Sequence, residues 1–408
     1  MIRAGAGLSD LAASGEAVRR AVAEAAGEAR LDRADLLFLF VTSDHLPQFP
    51  EVARAAAQAS GGARIVGCTG YGVLTSEGEI EGGPGVAALA LGGDGVAAAP
   101  FLSEGLSAAP RECGRAIGRQ ARGTLGAKLE EGSPPLVILL PDTYNLRPRE
   151  LFEGIHEGLG RRAVIVGGGA SENGSLGRTF QFLDGRVHNN AVAGAVLAGG
   201  QARFIGISQA YQPVGDPWLV TRAKDNLIFE ISGRPAFEVF AEAAGPELME
   251  NLRAAASQVF VGIPGDPDQV SLDHGNYIVR PIVGVEPAKG ILALAEPIPV
   301  GQAITFARRD GGRALDDFEA MLQKGVDRFG RGNFDDAAAF GLYFNCAGRG
   351  SALYGSRGVD AAAIRRAMFG LPVAGFFTGA EIGPIGGHDH LHQFSGVLVL
   401  LGENPGVR

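Results

Sequence analysis

The chain has 408 residues, 46% hydrophobic and 20% charged, which is enough for two or three domains around a sizeable core. Lys+Arg 36 against Asp+Glu 45 leave a net charge of −9 with no basic stripe, which argues against nucleic-acid binding and against attachment to an anionic membrane. Cys68, Cys113 and Cys346 are far apart and form no CxxC pair, so no disulfide framework or thiolate zinc site is expected, and no apolar signal core or membrane-length run occurs; the expected location is the cytoplasm.

In chain order, Ser14 is placed to cap a helix running to about Ala29, with Ala17, Val18, Ala21, Val22 and Ala25 on one face. A strand follows at Leu36–Val41, then a polar loop from Thr42 to Pro50 and a helix from Glu51 to about Ser60. A second strand, Arg64–Val66, runs into the Gly-rich stretch Gly67-Cys68-Thr69-Gly70-Tyr71-Gly72, and a third spans Val86–Leu91. The same order recurs as strand Leu136–Leu140, loop Pro141–Asn145, helix Pro148–Leu159, strand Ala163–Val166, Gly-rich Gly167-Gly168-Gly169 and closing strand Ala191–Leu197. It recurs again as Phe340–Phe344, loop Asn345–Gly350, helix Val359–Met368, strand Pro372–Phe376, Gly379–Pro384 and strand Val397–Leu401.

The expected fold is therefore α/β with mixed sheets, built on three strand-loop-helix-strand-loop-strand units of about 60 residues. Between the second and third units, residues 202–335 read differently. A hairpin turns at Lys224-Asp225-Asn226 and a helix opens at Arg234-Pro235-Ala236. Strands are expected near Tyr277–Ile282, Gly290–Ala295 and Ala303–Ala307, and a helix from about Leu315 to Phe329.

Two sets of residues carry a family resemblance. Ile65-Val66-Gly67-Cys68-Thr69, Gly72 to Glu79, Val86 to Leu91, and Thr221-Arg222-Ala223 through Ala236 resemble the FIST N-terminal domain. Phe344-Asn345-Cys346-Ala347-Gly348-Arg349-Gly350, Pro372 to Pro384, and His392-Gln393-Phe394-Ser395-Gly396-Val397-Leu398 resemble the FIST C domain. The resemblance implies two closely packed modules, at 30–232 and 233–401, acting as a sensory input that binds a small polar metabolite such as an amino acid or other small carboxylate. Relatives often join an output segment. None is recognised here, so a separate signalling partner protein is expected to read the ligand-dependent change. No cofactor and no metal are expected.

The candidate ligand residues are Asn345, Cys346, Arg349, Gly350, Phe376, Phe377, Thr378 and Glu381. Arg349 offers a planar fork for a ligand carboxylate, Glu381 an acceptor for a ligand amine, and Phe376 and Phe377 an apolar wall. An alternative reading is an enzyme, with Cys346 as a nucleophile in the field of Arg349, or with His388, His390 and His392 as a zinc site if they lie on a strand. A solvated loop is the competing reading for those histidines. Gly167-Gly168-Gly169 with Ser171 and Asn173 offers an anion cradle, Arg308 or Arg309 a second carboxylate clamp, and Ser43-Asp44-His45 reads as a polar loop. A ligand-free scaffold is the third reading.

Overall fold

The computed structural model describes residues 2–93, 97–131, 133–199, 202–265, 277–329 and 338–402, with backbone only at 202, 338 and 339. Two compact units emerge: one comprises Met1–Ile207, Phe318–Pro384 and Phe394–Arg408, the other Ser208–Asp317 and Ile385–Gln393. The expected α/β class with mixed sheets is what forms.

In the first unit the repeat is present three times, and it is longer than the sequence pattern showed. Each copy begins with a lead strand and a helix ahead of the strand-loop-helix-strand-loop-strand unit: Arg3–Ser9 and Ser14–Glu28, then Ala97–Glu104 and Pro110–Leu125, then Ala202–Gln209 and Gly311–Phe329. The sequence pattern predicts the helices from Ser14 and to Phe329, but neither the three strands nor the helix Pro110–Leu125. The first lead strand, RAGAGLS, lacks the β-branched residues that announce a strand. Its glycines serve contact instead. A Cβ on Gly5 or Gly7 would stand 2.2 Å or 2.0 Å from the carbonyl of Ala25 or Ala21 on the helix above.

The first and second strands of each copy run parallel: Leu36–Thr42 with Arg64–Gly70, Leu136–Pro141 with Val164–Gly168, and Ala338–Cys346 with Val373–Thr378. A helix crosses between them each time, at Phe49–Ala59, Pro148–Leu159 and Val359–Ala367. A closing strand returns antiparallel to the first, at Val86–Gly92, Ala191–Ala198 and Ser395–Gly402.

No copy completes its own sheet. The strand that follows the second strand pairs with another copy. Gly72–Thr75 joins Val373–Thr378, Gln181–Leu183 joins Arg64–Gly70, and Glu381–Ile385 joins Val164–Gly168. The exchange is cyclic, first to third, second to first, third to second. The Gly-rich loops are where the chain crosses over, and their amides knit the copies together. Ser171 N–H donates to Thr69 O at 3.0 Å, Tyr71 N–H to Phe377 O at 3.1 Å, and Gly169 N–H to Ala380 O at 2.8 Å.

The inner faces of the three sheets share one core, with Phe38, Phe40, Cys68, Leu136, Ile138, Leu140, Leu342, Phe344 and Phe376 among its members. Phe40 and Phe376 stack across it at 4.9 Å. Leu37, Leu39 and Val41 face outward onto the helices Ser14–Glu28 and Phe49–Ala59. With both faces covered, the strand LLFLFVT is buried throughout. The same glycine recurs in each second strand. A Cβ on Gly67, Gly167 or Gly375 would lie 1.8, 2.0 or 1.8 Å from the carbonyl oxygen of its partner Leu39, Leu139 or Tyr343.

The second unit is a closed antiparallel ring. Tyr211–Lys224 pairs along its first part with Ala303–Arg309, the register broken between Val214 and Trp218, and from Val220 onward with Leu227–Ile231. Val259–Pro264, Tyr277–Glu286 and Ile291–Leu294 fill the circuit. The expected hairpin turns at Asp225, in the left-handed region. The helix Ala236–Met249 buries Val239, Phe240 and Ala244 against Val220, Ile228, Val261, Leu292 and Phe306. Among the described residues no helix is long and apolar enough to cross a membrane.

The recurrent glycine makes a direct prediction. Gly67→Ala, Gly167→Ala and Gly375→Ala should each destabilise by about 2–3 kcal/mol in urea titrations, because backbone rather than a flexible side chain blocks the new methyl. Gly27→Ala, in an exposed helical turn with nothing within 4 Å of the new atom, should stabilise by roughly 0.4–1 kcal/mol. Equal effects at all four positions would refute the close-approach account.

Candidate functional site

The candidate residues gather at the carboxyl ends of the third copy's parallel strands, where ligands settle in sheets of this kind. Register puts Cys346 beside Thr378. Phe344 and Phe376 face the core, so the two-residue period turns Cys346 and Thr378 to the same side. Glu381 starts the strand exchanged onto the second sheet, opposite Gly168. Its carboxylate accepts from the Thr378 hydroxyl at 2.6 Å, the Ser395 N–H at 3.0 Å and the Ser395 hydroxyl at 2.8 Å. The Cys346 thiol hydrogen-bonds it as well.

Glu381 is fully buried, and no cation pairs with it among the described residues. Burial pushes its carboxyl up to about 7, although four hydrogen bonds pull the other way. The equivalent exchanged-strand positions are Val73, opposite Phe376, and Gln181, opposite Cys68. A carboxylate occurs at only one of the three related places.

Cys346 does not sit in the field expected for a nucleophile. Burial raises its thiol first and the Glu381 charge raises it further. Its sulfur accepts from the N–H groups of Phe394 at 3.2 Å and Gly348 at 3.4 Å. The thiol is held neutral, as a donor to Glu381. The expectation that Arg349 activates it is corrected: a carboxylate, not the guanidinium, is the charge beside the sulfur.

Arg349 belongs to a second cluster and is also fully buried. Its Nε and Nη2 reach Asp360 at 3.3 and 3.5 Å, and Nη2 donates to the Tyr354 hydroxyl at 2.7 Å. Asp360 further accepts from the hydroxyls of Tyr343 at 2.9 Å and Tyr354 at 2.8 Å, and from the Asn345 amide at 3.0 Å. The rings of Phe318 and Tyr354 flank the guanidinium at 5.6 and 5.8 Å. The paired clamp of Arg349 for a carboxylate and Glu381 for an amine is therefore not assembled, because Asp360 already holds the arginine fork.

Gly350 adopts φ +50, and a Cβ there would meet the Glu81 carboxylate at 2.7 Å. Glu81 accepts the Ser351 N–H and hydroxyl, and Glu79 accepts the N–H groups of Gly358 and Ala361 at 2.8 Å each. Glu79 thus serves the start of the helix Val359–Ala367. Its burial, together with repulsion from Asp360, raises its carboxyl to about 7. Phe376 and Phe377 are core residues, and the Phe377 carbonyl accepts from the Ser171 hydroxyl. Sequence reading missed Asp360, Glu79, Glu81 and Ser395. Glu79 and Glu81 come from the exchanged hairpin of the first copy, and no local pattern records that exchange.

The other sequence candidates are dispersed. His388, His390 and His392 lie on a strand, not a loop, with neighbouring rings 6.4 and 6.3 Å apart. Among the described residues, no three His, Cys, Asp or Glu side chains stand close enough to hold one metal ion. The amides of Gly169, Ala170 and Ser171 are taken by Ala380, Pro141 and Thr69, so that loop cradles no anion. Arg308 donates to the Ala243 carbonyl at 2.7 Å and to that of Ala244. Ser14 does not cap its helix. Its hydroxyl meets His45 Nδ1 at 2.8 Å.

Two measurements check these assignments. Arg349→Ala leaves Asp360 buried without its cation and should cost about 3–5 kcal/mol, whether or not a ligand is present. Glu381 and Glu79 bind protons more tightly folded than unfolded, so stability should fall as pH rises from about 4.5 to about 7 and level off above it. Each carboxyl contributes on the order of 3 kcal/mol to that fall. Glu381→Gln should remove roughly half of it. A wild-type stability curve flat over this window would show that neither carboxyl is raised.

Comparison with known proteins places the chain. Residues 35–234 match the FIST N domain and residues 236–384 the FIST C domain. An uncharacterized protein of Mycobacterium tuberculosis H37Rv is 28% identical over 390 residues, covering 94% of this chain and 96% of that one. An uncharacterized protein of Mycobacterium bovis is 31% identical over 391 residues, covering 94% and 95%. A crystal structure titled as a cyanuric acid hydrolase from A. caulinodans aligns over 99% of this chain and 100% of its own, with a TM-score of only 0.39 and 11% identity. The chain belongs to the FIST family, whose domains are sensory, small-ligand-binding modules of signal transduction.

Proposed function

We propose that the ligand sensed by this chain is a small polar metabolite carrying an amine, such as an amino acid, and that Glu381 is the group that recognises it. The observation that carries this reading is a fully buried carboxylate with hydroxyl and thiol donors but no cation among the described residues. An ammonium brought to Glu381 would stabilise the ionised form and reverse the effect of burial. Cys346, Thr378 and Ser395 would hold the carboxylate in place for it. Asn345, Arg349 and Gly350 shape the adjoining wall through Asp360 and Glu81, and Phe376, on the same face of its strand as Thr378, supplies the apolar floor, while Phe377 packs on the opposite face. All eight nominated residues are buried, so binding requires an arrangement more open than the one described here. The ligand then acts by favouring that arrangement, and by no more than its differential affinity for it. A separate partner protein reads the change.

The test is a thermal-shift panel on wild type and Glu381→Gln, using amino acids, amines lacking a carboxylate, and carboxylates lacking an amine. Glutamine already occupies the equivalent position at residue 181, so the variant is expected to fold. A ligand at 100 times its Kd should add about 2.7 kcal/mol to wild type and little to the variant. At pH near 6, binding should also release a proton, read by calorimetry in two buffers. A flat panel, or a response that survives Glu381→Gln, would sink the assignment. Pull-downs with and without the ligand that yield no common partner would sink the signalling clause.

A further inference from the structure

A second charged group stands apart from this cluster. Ile205 and Ile207 of the third lead strand pack against the shared core, and the two-residue period places Arg203 on the same face. The first inward positions of the other two lead strands, Ala4 and Ala98, are alanines that also pack against that core. Repeat symmetry therefore calls for a small apolar residue here, and the third copy carries a guanidinium.

Its Nε, Nη1 and Nη2 are all shielded from solvent, and none has a hydrogen-bond partner. Among the described residues no carboxylate pairs with it, and the only influence on its ionisation is desolvation. Arg349 and Arg308 each leave one buried nitrogen unpartnered, Nη1 and Nε, but their guanidiniums still have acceptors, Asp360 for Arg349 and the Ala243 and Ala244 carbonyls for Arg308; Arg203 has none on any of its three nitrogens. Arginine does not lose its proton in proteins, so the charge persists and five N–H donors go unused.

We infer that Arg203 anchors an oxyanion site at the lead-strand end of the shared core, taking a small carboxylate or phosphate two-pronged on its planar fork. This site is distinct from Glu381 in both place and charge, and it binds an anion where Glu381 binds a cation.

The experiment is a thermal-shift titration at constant ionic strength, replacing chloride with millimolar acetate in one arm and inorganic phosphate in the other. At these concentrations general exclusion of salts from the surface is small. Wild type should rise by a few degrees and saturate in at least one arm, and the responding arm names the anion. Arg203→Met should be more stable than wild type in chloride and should not respond. Arg203→Lys, which keeps the charge without the fork, should bind at least tenfold more weakly, and Glu381→Gln should respond as wild type does. A wild type flat in both arms overturns the site, as does an equal rise in Arg203→Met. An Arg203→Met protein less stable than wild type in chloride would show that the guanidinium is already satisfied, and would overturn it too. If the methionine variant does not fold, the wild-type curves and the lysine variant decide.

Discussion

Each copy of the repeat lacks the strand that would complete its sheet, and each surrenders one to a neighbour. That exchange governs the first unit. A copy folded by itself would expose an unpaired strand edge and one face of an apolar sheet. Paired in a ring, the three sheets bury a common core and leave no copy independent of the other two. The second strand must then approach the first so closely that Gly67, Gly167 and Gly375 meet carbonyl oxygens where any other residue would carry a methyl. The crossover loops must pass one another with their amides turned to each other's carbonyls, as Gly169, Ser171 and Tyr71 do. Part of the glycine-rich composition is a consequence of this packing, and many of the other glycines take the left-handed backbone of turns.

Symmetry makes the exceptions informative. Val73, Gln181 and Glu381 occupy one position in three exchanged strands, and only the last is ionisable. Ala4, Ala98 and Arg203 occupy another, and again the third copy carries the charge. Packing alone is met by valine and alanine. A buried charge at either place is a cost that packing does not require, and it turns one of three similar positions into a candidate for recognition. The cluster of Arg349, Asp360, Tyr343, Tyr354 and Asn345 is different in kind. There the charges compensate each other and every donor named above except Arg349 Nη1 has an acceptor, and the result is a polar strut under the loop from Arg349 to Asp360.

The candidate site was legible in part. Gly-rich and polar loops following buried strands are a local signal, and the residues they point to, from Asn345 to Gly350 and from Phe376 to Glu381, do converge at one end of the third strand pair. Their roles were not legible. Arg349 reads as a ligand clamp until Asp360 is found against it. The alternative reading of Cys346 as a nucleophile loses its activating field once the neighbouring charge proves negative. Glu79 and Glu81 lie some 270 residues from the groups they hold, and no pattern in a single chain carries that pairing.

Sequence by itself determined the α/β class, the threefold recurrence of strand, helix and strand, and the family, because each of these is written in local hydrophobic period and in short motifs. It did not show the lead strands, whose small residues serve a helix contact rather than β-propensity, nor the three-residue strand Gln181–Leu183, which is too short for a period. Tertiary structure alone decided which copy lends a strand to which, and therefore which side chains share a buried space. The physical reason is that the energies involved, desolvation of Glu381 and Arg203 and compensation of Arg349 by Asp360, depend on what surrounds a charge in three dimensions, and the chain order does not contain its surroundings.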